Sequence, residues 1–420
     1  MRINIITLGC SKNTVDSENL AARLTAEGHS VCFDSNATNF DTVVINTCGF
    51  IGDAKEESIN TILEAIRWKN AGQGCKNGRR LIVCGCLVER YRKELEAEMP
   101  EVDEWYGVDF SEATLGRPLS TPKHYAYLKI AEGCNRSCSY CAIPLIRGAH
   151  RSRPIDEIVA EAKALVAKEV KELIVISQDT TWYGLDLYHR RALGELLDRL
   201  ATESGAPWIR LHYTYPASFP DDAIAAIARH PNICNYIDIP LQHINSNVLR
   251  SMQRGIDREG TLALLEKFRT ALPDAAIRTT LIVGYPGETE AEFEELKEFV
   301  RQARFDRMGC FAYSPEEGTP AESLGNPVPD EEKQRRVSEL MAVQEAISLE
   351  KNQAKVGRTY RCIVDRREGD YLVCRTEYDS PEVDDEVLVT GQRRGVRTGD
   401  FVNVHITQAL ENDLMGELVE

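Results

Sequence analysis

Gly133-Cys134-Asn135-Arg136-Ser137-Cys138-Ser139-Tyr140-Cys141 is the stretch that decides how this 420-residue chain is read. It follows directly on Ala126–Ile130, an apolar run with the length of a strand, so the three cysteines open the loop at that strand's carboxyl end. Five further strand-like runs follow: Glu172–Ser177, Trp208–Tyr213, Asn235–Ile239, Arg278–Val283 and Gly309–Tyr313. Between them Ile155–Lys168, Ala192–Glu203, Asp221–Ala228, Arg258–Ala271 and Glu290–Arg304 carry apolar residues at three- and four-residue spacing, the signature of helices packed on a sheet. Six βα units predict a partial (β/α)6 barrel, and barrels gather their active sites at the carboxyl ends of the strands.

The cysteine spacing is Cys-x3-Cys-x2-Cys. Three thiolates so close can wrap one face of an iron–sulfur cubane, whose full protein ligation takes four cysteines, so one iron stays open for a ligand. The competing structural reading is a zinc site completed by His124 or His150. With Tyr140 before its last cysteine, the motif resembles that of the radical S-adenosylmethionine superfamily. The resemblance implies that Cys134, Cys138 and Cys141 hold a 4Fe-4S cluster, that the open iron chelates S-adenosylmethionine, and that reduction yields a 5′-deoxyadenosyl radical. It also implies cofactor contacts from Tyr140 and from the ends of later strands: Ser177, Gln178, Gln242, and the Gly284-Tyr285-Pro286-Gly287-Glu288 turn through Gly284 and Glu288. That turn reads equally well as an ordinary helix-opening turn.

Outward from the barrel, residues 1–118 alternate Ile3–Leu8, Thr42–Asn46 and Arg80–Val83 with helical patterns at Asp16–Glu27, at Asp53–Lys69 and from about Val88, which predicts a small parallel-sheet α/β domain. Leu115–Lys123 reads as a linker. Residues 119–352 then hold the barrel and a polar exit helix over Pro329–Gln353. From 353 to 420 short alternating runs, Arg361–Val364, Tyr371–Arg375, Glu386–Val389 and Phe401–Ile406, predict a small antiparallel β-barrel.

A second cysteine set lies in the first domain. Cys10, Cys48 and Cys86 each end a predicted strand, where an open α/β sheet forms its ligand crevice, and each has a glycine beside it (Gly9, Gly49, Gly85). Placement alone favours three packing cysteines in an apolar sheet. Gly9-Cys10-Ser11-Lys12-Asn13 with Asp16-Ser17-Glu18, Asn46-Thr47-Cys48-Gly49-Phe50-Ile51, and Gly85-Cys86-Leu87 with Arg90-Tyr91 resemble the amino-terminal domain of the methylthiotransferases. That likeness implies a second 4Fe-4S cluster on Cys10, Cys48 and Cys86. Cys84, expected on the same strand face as Cys86, competes for the third position, and the family pattern selects Cys86. The last domain resembles the family's TRAM domain.

Thirteen cysteines in a chain of this size, behind a start (MRINIITLGC) without the apolar core of an export signal, read as reduced and cytoplasmic. Cys32, Cys75, Cys84, Cys234, Cys310, Cys362 and Cys374 are expected to be buried packing residues. No run is long and apolar enough to span a membrane. The net charge is −16, which argues against non-specific nucleic-acid binding and favours a basic macromolecular partner.

Two branches of the family fit. One modifies an adenosine of transfer RNA and the other the β-carbon of an aspartate in ribosomal protein S-twelve. Residues 353–420 carry nine Lys and Arg against fourteen Asp and Glu, a poor surface for RNA. Glu377–Glu386 holds six acids in ten residues and is expected either to dock a basic protein or to be a solvated loop. Cys141-Ala142-Ile143-Pro144-Leu145-Ile146-Arg147-Gly148 and Ser177-Gln178-Asp179-Thr180-Thr181-Trp182-Tyr183-Gly184 resemble the ribosomal-protein branch. That implies transfer of a methylthio group to ribosomal protein S-twelve, with a small electron-donor protein such as flavodoxin or ferredoxin as reductant. Arg136, Arg147, Arg151 and Arg153 are expected at a rim facing substrate, donor or solvent. No acid–base dyad is expected, because an aspartate β-hydrogen is not acidic and cofactor radical chemistry must remove it.

Overall fold

The computed structural model describes residues 1–37, 39–72, 78–108, 116–390 and 395–419. Cys75 and the start of the expected linker lie outside the described residues. The first domain runs β1 (Arg2–Thr7), α1 (Ser11–Ala26), β2 (Ser30–Phe33), β3 (Thr42–Thr47), α2 (Gly52–Ala71), β4 (Arg80–Gly85), α3 (Cys86–Glu98) and β5 (Glu104–Tyr106). The sheet is parallel throughout, in the order β2-β1-β3-β4-β5. Its centre, β3, is buried along its whole length, with Val43, Val44 and Ile45 as its apolar run and the polar Thr42, Asn46 and Thr47 buried at its ends. The edge strands β2 and β5 escaped the sequence reading because they are short and only partly buried.

The barrel follows as β6 (Tyr125–Lys129), β7 (Ala131–Glu132), α4 (Ile143–Arg147), β8 (Arg151–Ser152), α5 (Ile155–Val166), β9 (Glu172–Ile176), α6 (Leu193–Glu203), β10 (Trp208–Leu211), α7 (Asp221–Arg229), β11 (Tyr236–Asp238), α8 (Ser246–Ser251), α9 (Arg258–Ala271), β12 (Ala276–Val283), α10 (Glu290–Ala303), β13 (Arg307–Ala312) and the exit helix α11 (Asp330–Gln353). Two parallel three-stranded sheets, β10-β9-β6 and β11-β12-β13, meet at a bridge between Ile209 and Ile233, giving a six-stranded partial barrel. Along α5, Ile155, Ile158, Val159, Ala162 and Leu165 are buried, and they pack with Leu128, Leu173, Val175 and Ile209 in one core. Strand alternation turns the intervening Tyr125, Tyr127, Glu172, Arg210, Tyr236 and Arg278 to the opposite, inner face.

The last domain closes five strands into a barrel, β14 (Thr359–Glu368), β15 (Tyr371–Thr376), β16 (Val387–Thr390), β17 (Phe401–Ala409) and β18 (Leu414–Val419), in the order β14-β15-β16-β18-β17. Four neighbouring pairs are antiparallel, as expected, and β16–β18 is parallel. An odd number of strands cannot alternate direction all the way round a closed ring, so one parallel pair is a geometric necessity.

Residues 377–386, expected either to dock a basic protein or to be a solvated loop, turn most of their acids inward, leaving Glu382 and Val383 at the surface. The run enters the polar inside of the partial barrel. Tyr125 donates to Glu382 at 2.6 Å, Tyr236 to Asp384 at 2.6 Å, and the Glu377 carbonyl accepts from Arg210 at 2.7 Å. Asp379, fully buried, pairs with Arg307. Glu172 of β9 lies between Arg210 and Arg375 at 2.7 Å each, and His212 meets Ser380 at 2.9 Å. Burial alone would raise the Glu172 carboxyl, but Arg375 and Arg210 outweigh it and hold it at about 2.

Glu172 is fully buried, so replacing it by Ala takes the carboxylate partner from buried Arg210 and leaves Arg375 with Asp365 alone, and is expected to cost about 3–5 kcal/mol. A falling urea midpoint measures this. Because the folded carboxyl titrates below its unfolded value of roughly 4.3, the contribution is complete above that pH and is lost as the pH falls towards about 2. The difference in midpoint between wild type and Glu172→Gln therefore shrinks as the pH is lowered from 5 to 2.5.

Candidate active site

The carboxyl ends of β1, β3 and β4 face those of the barrel strands across a cavity of about 460 Å³. Cys10, Cys48, Cys86, Cys134, Cys138 and Cys141 all line it, as do Tyr140, Gln178 and Gln242. The structure does not bring Ser177, Gly284 or Glu288 to that lining. Ser177 is buried, and Glu288 accepts from the Tyr285 amide at 3.1 Å, a bond that closes its own turn.

Backbone constraints set the first triad. Gly9 has φ 90° and Gly85 φ 101°, and an added Cβ would fall 2.7 Å from Cys48 Cβ in one case and 2.5 Å from Asn46 Oδ1 in the other. The Gly85 turn also separates Cys84 from Cys86. The strand's two-residue period ends there, so Cys84 packs with Ile3, Ile5 and Val44 on another side of the sheet while Cys86 enters the cavity; the expectation of a shared face fails for this reason. Ser58 of α2 pins the Cys48 peptide, accepting from its N–H at 3.1 Å and donating to its carbonyl at 3.0 Å. Asn13 donates to the Leu8 carbonyl at 2.8 Å and the Thr47 carbonyl at 3.1 Å, tying the Cys10 loop to the Cys48 loop.

The second triad is held by its own loop. The Cys134 amide bonds the Gly148 carbonyl at 3.1 Å and the Ser139 amide the Met252 carbonyl at 3.1 Å. Arg254 donates to Cys138 Sγ at 3.3 Å and to the Tyr140 hydroxyl at 3.2 Å. Among the described residues no three Cys, His, Asp or Glu side chains converge on a single ion, and His124 and His150 bond Asp365 and Ser152 instead. The zinc reading has no support in this geometry. Six cysteines around one cavity, with Gln178 Oε1, Gln242 Oε1 and Arg254 Nε buried and unpartnered, fit multi-atom clusters and a polar cofactor. Burial pushes the Cys134 thiol up to about 11 and the Cys86 and Cys141 thiols to about 12, so metal binding there must displace protons.

Arg147, expected at a rim facing substrate, donor or solvent, is buried in the cavity lining. Its Nε and Nη2 donate to Cys86 Sγ at 3.3 Å, Nη2 to Asn13 Oδ1 at 2.6 Å and Nη1 to Asp16 at 2.7 Å. Lys129 pairs with Asp16 and, at 2.8 Å, with Glu132, which accepts from Gln178 at 2.5 Å. Burial alone would raise the Glu132 carboxyl, yet Lys129 and Arg147 hold it well below its usual range. Arg136 likewise pairs with Asp179 at 2.7 Å, and Arg153 with Glu161 at 2.7 Å. Sequence reasoning missed the roles of Asn13, Asp16, Lys129, Tyr213, Tyr215 and Arg254, whose only signal was polarity next to a motif.

A partial barrel with a Cys-x3-Cys-x2-Cys loop at the end of its first strand defines a radical S-adenosylmethionine protein. Residues 128–300 match the model of the Radical SAM superfamily, 2–107 that of Uncharacterized protein family UPF0004, and 356–419 that of the TRAM domain. The chain is 54% identical over 430 residues to ribosomal protein uS12 methylthiotransferase RimO of Flavobacterium johnsoniae, covering 99% of this chain and 98% of the relative. It is 51% identical over 431 residues to that of Phocaeicola vulgatus, covering 99% of each. The chain therefore belongs to the RimO family of methylthiotransferases. Among solved structures, the radical S-adenosylmethionine methyltransferase TsrM of Kitasatospora setae, with cobalamin and a [4Fe-4S] cluster bound, superposes with TM-score 0.56 at 12% identity over 89% of this chain and 77% of that one, a likeness of fold.

Arg147→Met removes the cation from Cys86 and leaves Asp16 with one partner. Iron in the anaerobically reconstituted protein is expected to fall from about eight atoms per chain towards about four, read by iron assay, with the Cys134 triad still loaded.

Proposed function

We propose that this chain transfers a methylthio group to the β-carbon of an aspartate of ribosomal protein uS12, using two 4Fe-4S clusters and S-adenosylmethionine. The observation that carries the reading is that both cysteine triads open onto one cavity. Breaking an unactivated C–H bond and installing sulfur on the same carbon requires both centres within reach of that carbon. Cys134, Cys138 and Cys141 would hold the cluster that binds S-adenosylmethionine, with Tyr140, Gln178 and Gln242 beside it. Cys10, Cys48 and Cys86 would hold the cluster that carries sulfur. When bound, these groups supply the radical, the sulfur and the methyl group.

The protein's own residues hold that assembly in place. Arg254 fixes Cys138 and Tyr140, and Arg147 fixes Cys86. Arg136, paired with Asp179, stacks over Tyr215 with its guanidinium carbon 3.8 Å from the ring centroid, forming a wall of the cavity. Ser177, Gly284 and Glu288 lie outside the cavity lining. The reductant is a small electron-donor protein of the flavodoxin or ferredoxin kind, and a ribosomal substrate places the work in the cytoplasm. Among the described residues no helix is long and apolar enough to cross a membrane.

The test is anaerobic reconstitution with iron and sulfide, then incubation with S-adenosylmethionine, reductant and either a uS12 peptide or transfer RNA, read by intact mass. A methylthio gain on the peptide alone is expected, and a gain on the RNA alone would overturn the substrate. Replacing Cys134, Cys138 or Cys141 by Ala is expected to abolish deoxyadenosine formation. Replacing Cys10, Cys48 or Cys86 keeps that cleavage and stops sulfur insertion.

A further inference from the structure

Four cationic side chains line the cavity: Lys12, Arg136, Arg147 and Arg254. Three have internal partners. Arg136 is paired with Asp179, Arg147 with Asp16, and Arg254 donates to Cys138 Sγ, the Tyr140 hydroxyl and, at 2.5 Å, the Pro240 carbonyl. Lys12 differs. It is 6% exposed, and among the described residues no carboxylate, carbonyl or hydroxyl accepts from its ammonium. Its side chain lines the cavity with no carboxylate among the described residues beside its ammonium, so an anion entering the cavity can supply the missing partner.

Its setting points to an anion. The ammonium lies 2.7 Å from the centroid of the Tyr213 ring, a cation–π contact that satisfies one side of the charge. Tyr213 is built to be there: its φ is 58°, in the left-handed region that a bulky residue avoids, its amide is tied to Asp238 at 2.8 Å, and its hydroxyl meets Ser11 Oγ at 3.3 Å. Lys12 also sits in the first turn of α1, a sixteen-residue helix with no acidic side chain in that turn, so the positive helix end adds to the side-chain charge.

We infer that Lys12 binds the side-chain carboxylate of the target aspartate, which rests on the function proposed above. The carboxyl carbon is bonded directly to the reacting β-carbon, so gripping the carboxylate fixes that carbon within one bond length. The same contact sets specificity. An asparagine has the same shape but brings no charge, and would leave Lys12 buried and uncompensated. S-adenosylmethionine also carries a carboxylate, and a cluster carries negative charge, so the experiment must separate these anions from the substrate's.

Wild type, Lys12→Met and Lys12→Arg are reconstituted anaerobically and titrated without reductant, by fluorescence anisotropy, with a uS12 peptide bearing the target aspartate and with the same peptide bearing asparagine there. Iron content and S-adenosylmethionine binding are measured on each protein. For Lys12→Met the expected result is at least tenfold weaker binding of the aspartate peptide, unchanged binding of the asparagine peptide, and unchanged iron and S-adenosylmethionine binding; Lys12→Arg recovers part of the loss. An unchanged aspartate-to-asparagine ratio overturns the inference. So does loss of S-adenosylmethionine binding, which assigns Lys12 to the cofactor's carboxylate, or loss of iron, which assigns it to the cluster. If wild type binds and modifies neither peptide, the proposed function itself has failed, and this inference with it.

Discussion

The structure turns on one buried charged joint. Asp16 of α1 meets Lys129 at the end of β6 and Arg147 of α4, and Arg147 reaches on to Cys86 and Asn13. A single guanidinium thereby touches a cysteine of one triad from a helix that begins two residues after the last cysteine of the other. Desolvated charges tolerate little displacement, since separating any pair leaves an uncompensated ion in low dielectric. The joint therefore fixes the distance and orientation between two sheets that share no strand. For chemistry in which one carbon must meet both centres, that rigidity is the requirement.

A second charged interface, on the far side of the barrel strands, has the same logic and a different consequence. The 377–386 loop carries its acids into a barrel interior furnished with Arg210, Arg278 and Arg307, and Glu172 links Arg210 to Arg375 of the β domain. A partial barrel leaves its inside open. Here the loop fills that opening with matched charge instead of apolar side chains, so the β domain is held by geometry-specific pairs. Most of the loop's acids are thus engaged within the chain rather than presented to an external partner.

Much of the proposed site was legible in the sequence because its candidate ligands are cysteines. Cys134, Cys138 and Cys141 lie in one short loop, their spacing carries the chemistry, and the preceding apolar strand locates them. Cys10, Cys48 and Cys86 were legible only through local wording around each, since nothing in strand periodicity says that three loops converge. The polar residues were not legible. Arg147 reads as an exposed basic residue and Asp16 as a helix-surface acid, and each acquires its role from a partner more than a hundred positions away. Cys84 and Cys86 could not be ranked by periodicity, because a positive φ at Gly85 breaks the strand's alternation between them.

The sequence by itself determined the order of the three domains, most of the strands and helices of each, and the Cys134, Cys138 and Cys141 loop, because hydrophobic period and cysteine spacing are local properties that survive without coordinates. Tertiary structure alone decided that both triads share a cavity, that the acidic run is an internal plug, and that Lys12 is left without a counter-charge. Those are facts about pairing between distant groups. Charge and hydrogen bonding act through space, and only the folded chain sets which groups lie within a few ångströms of one another.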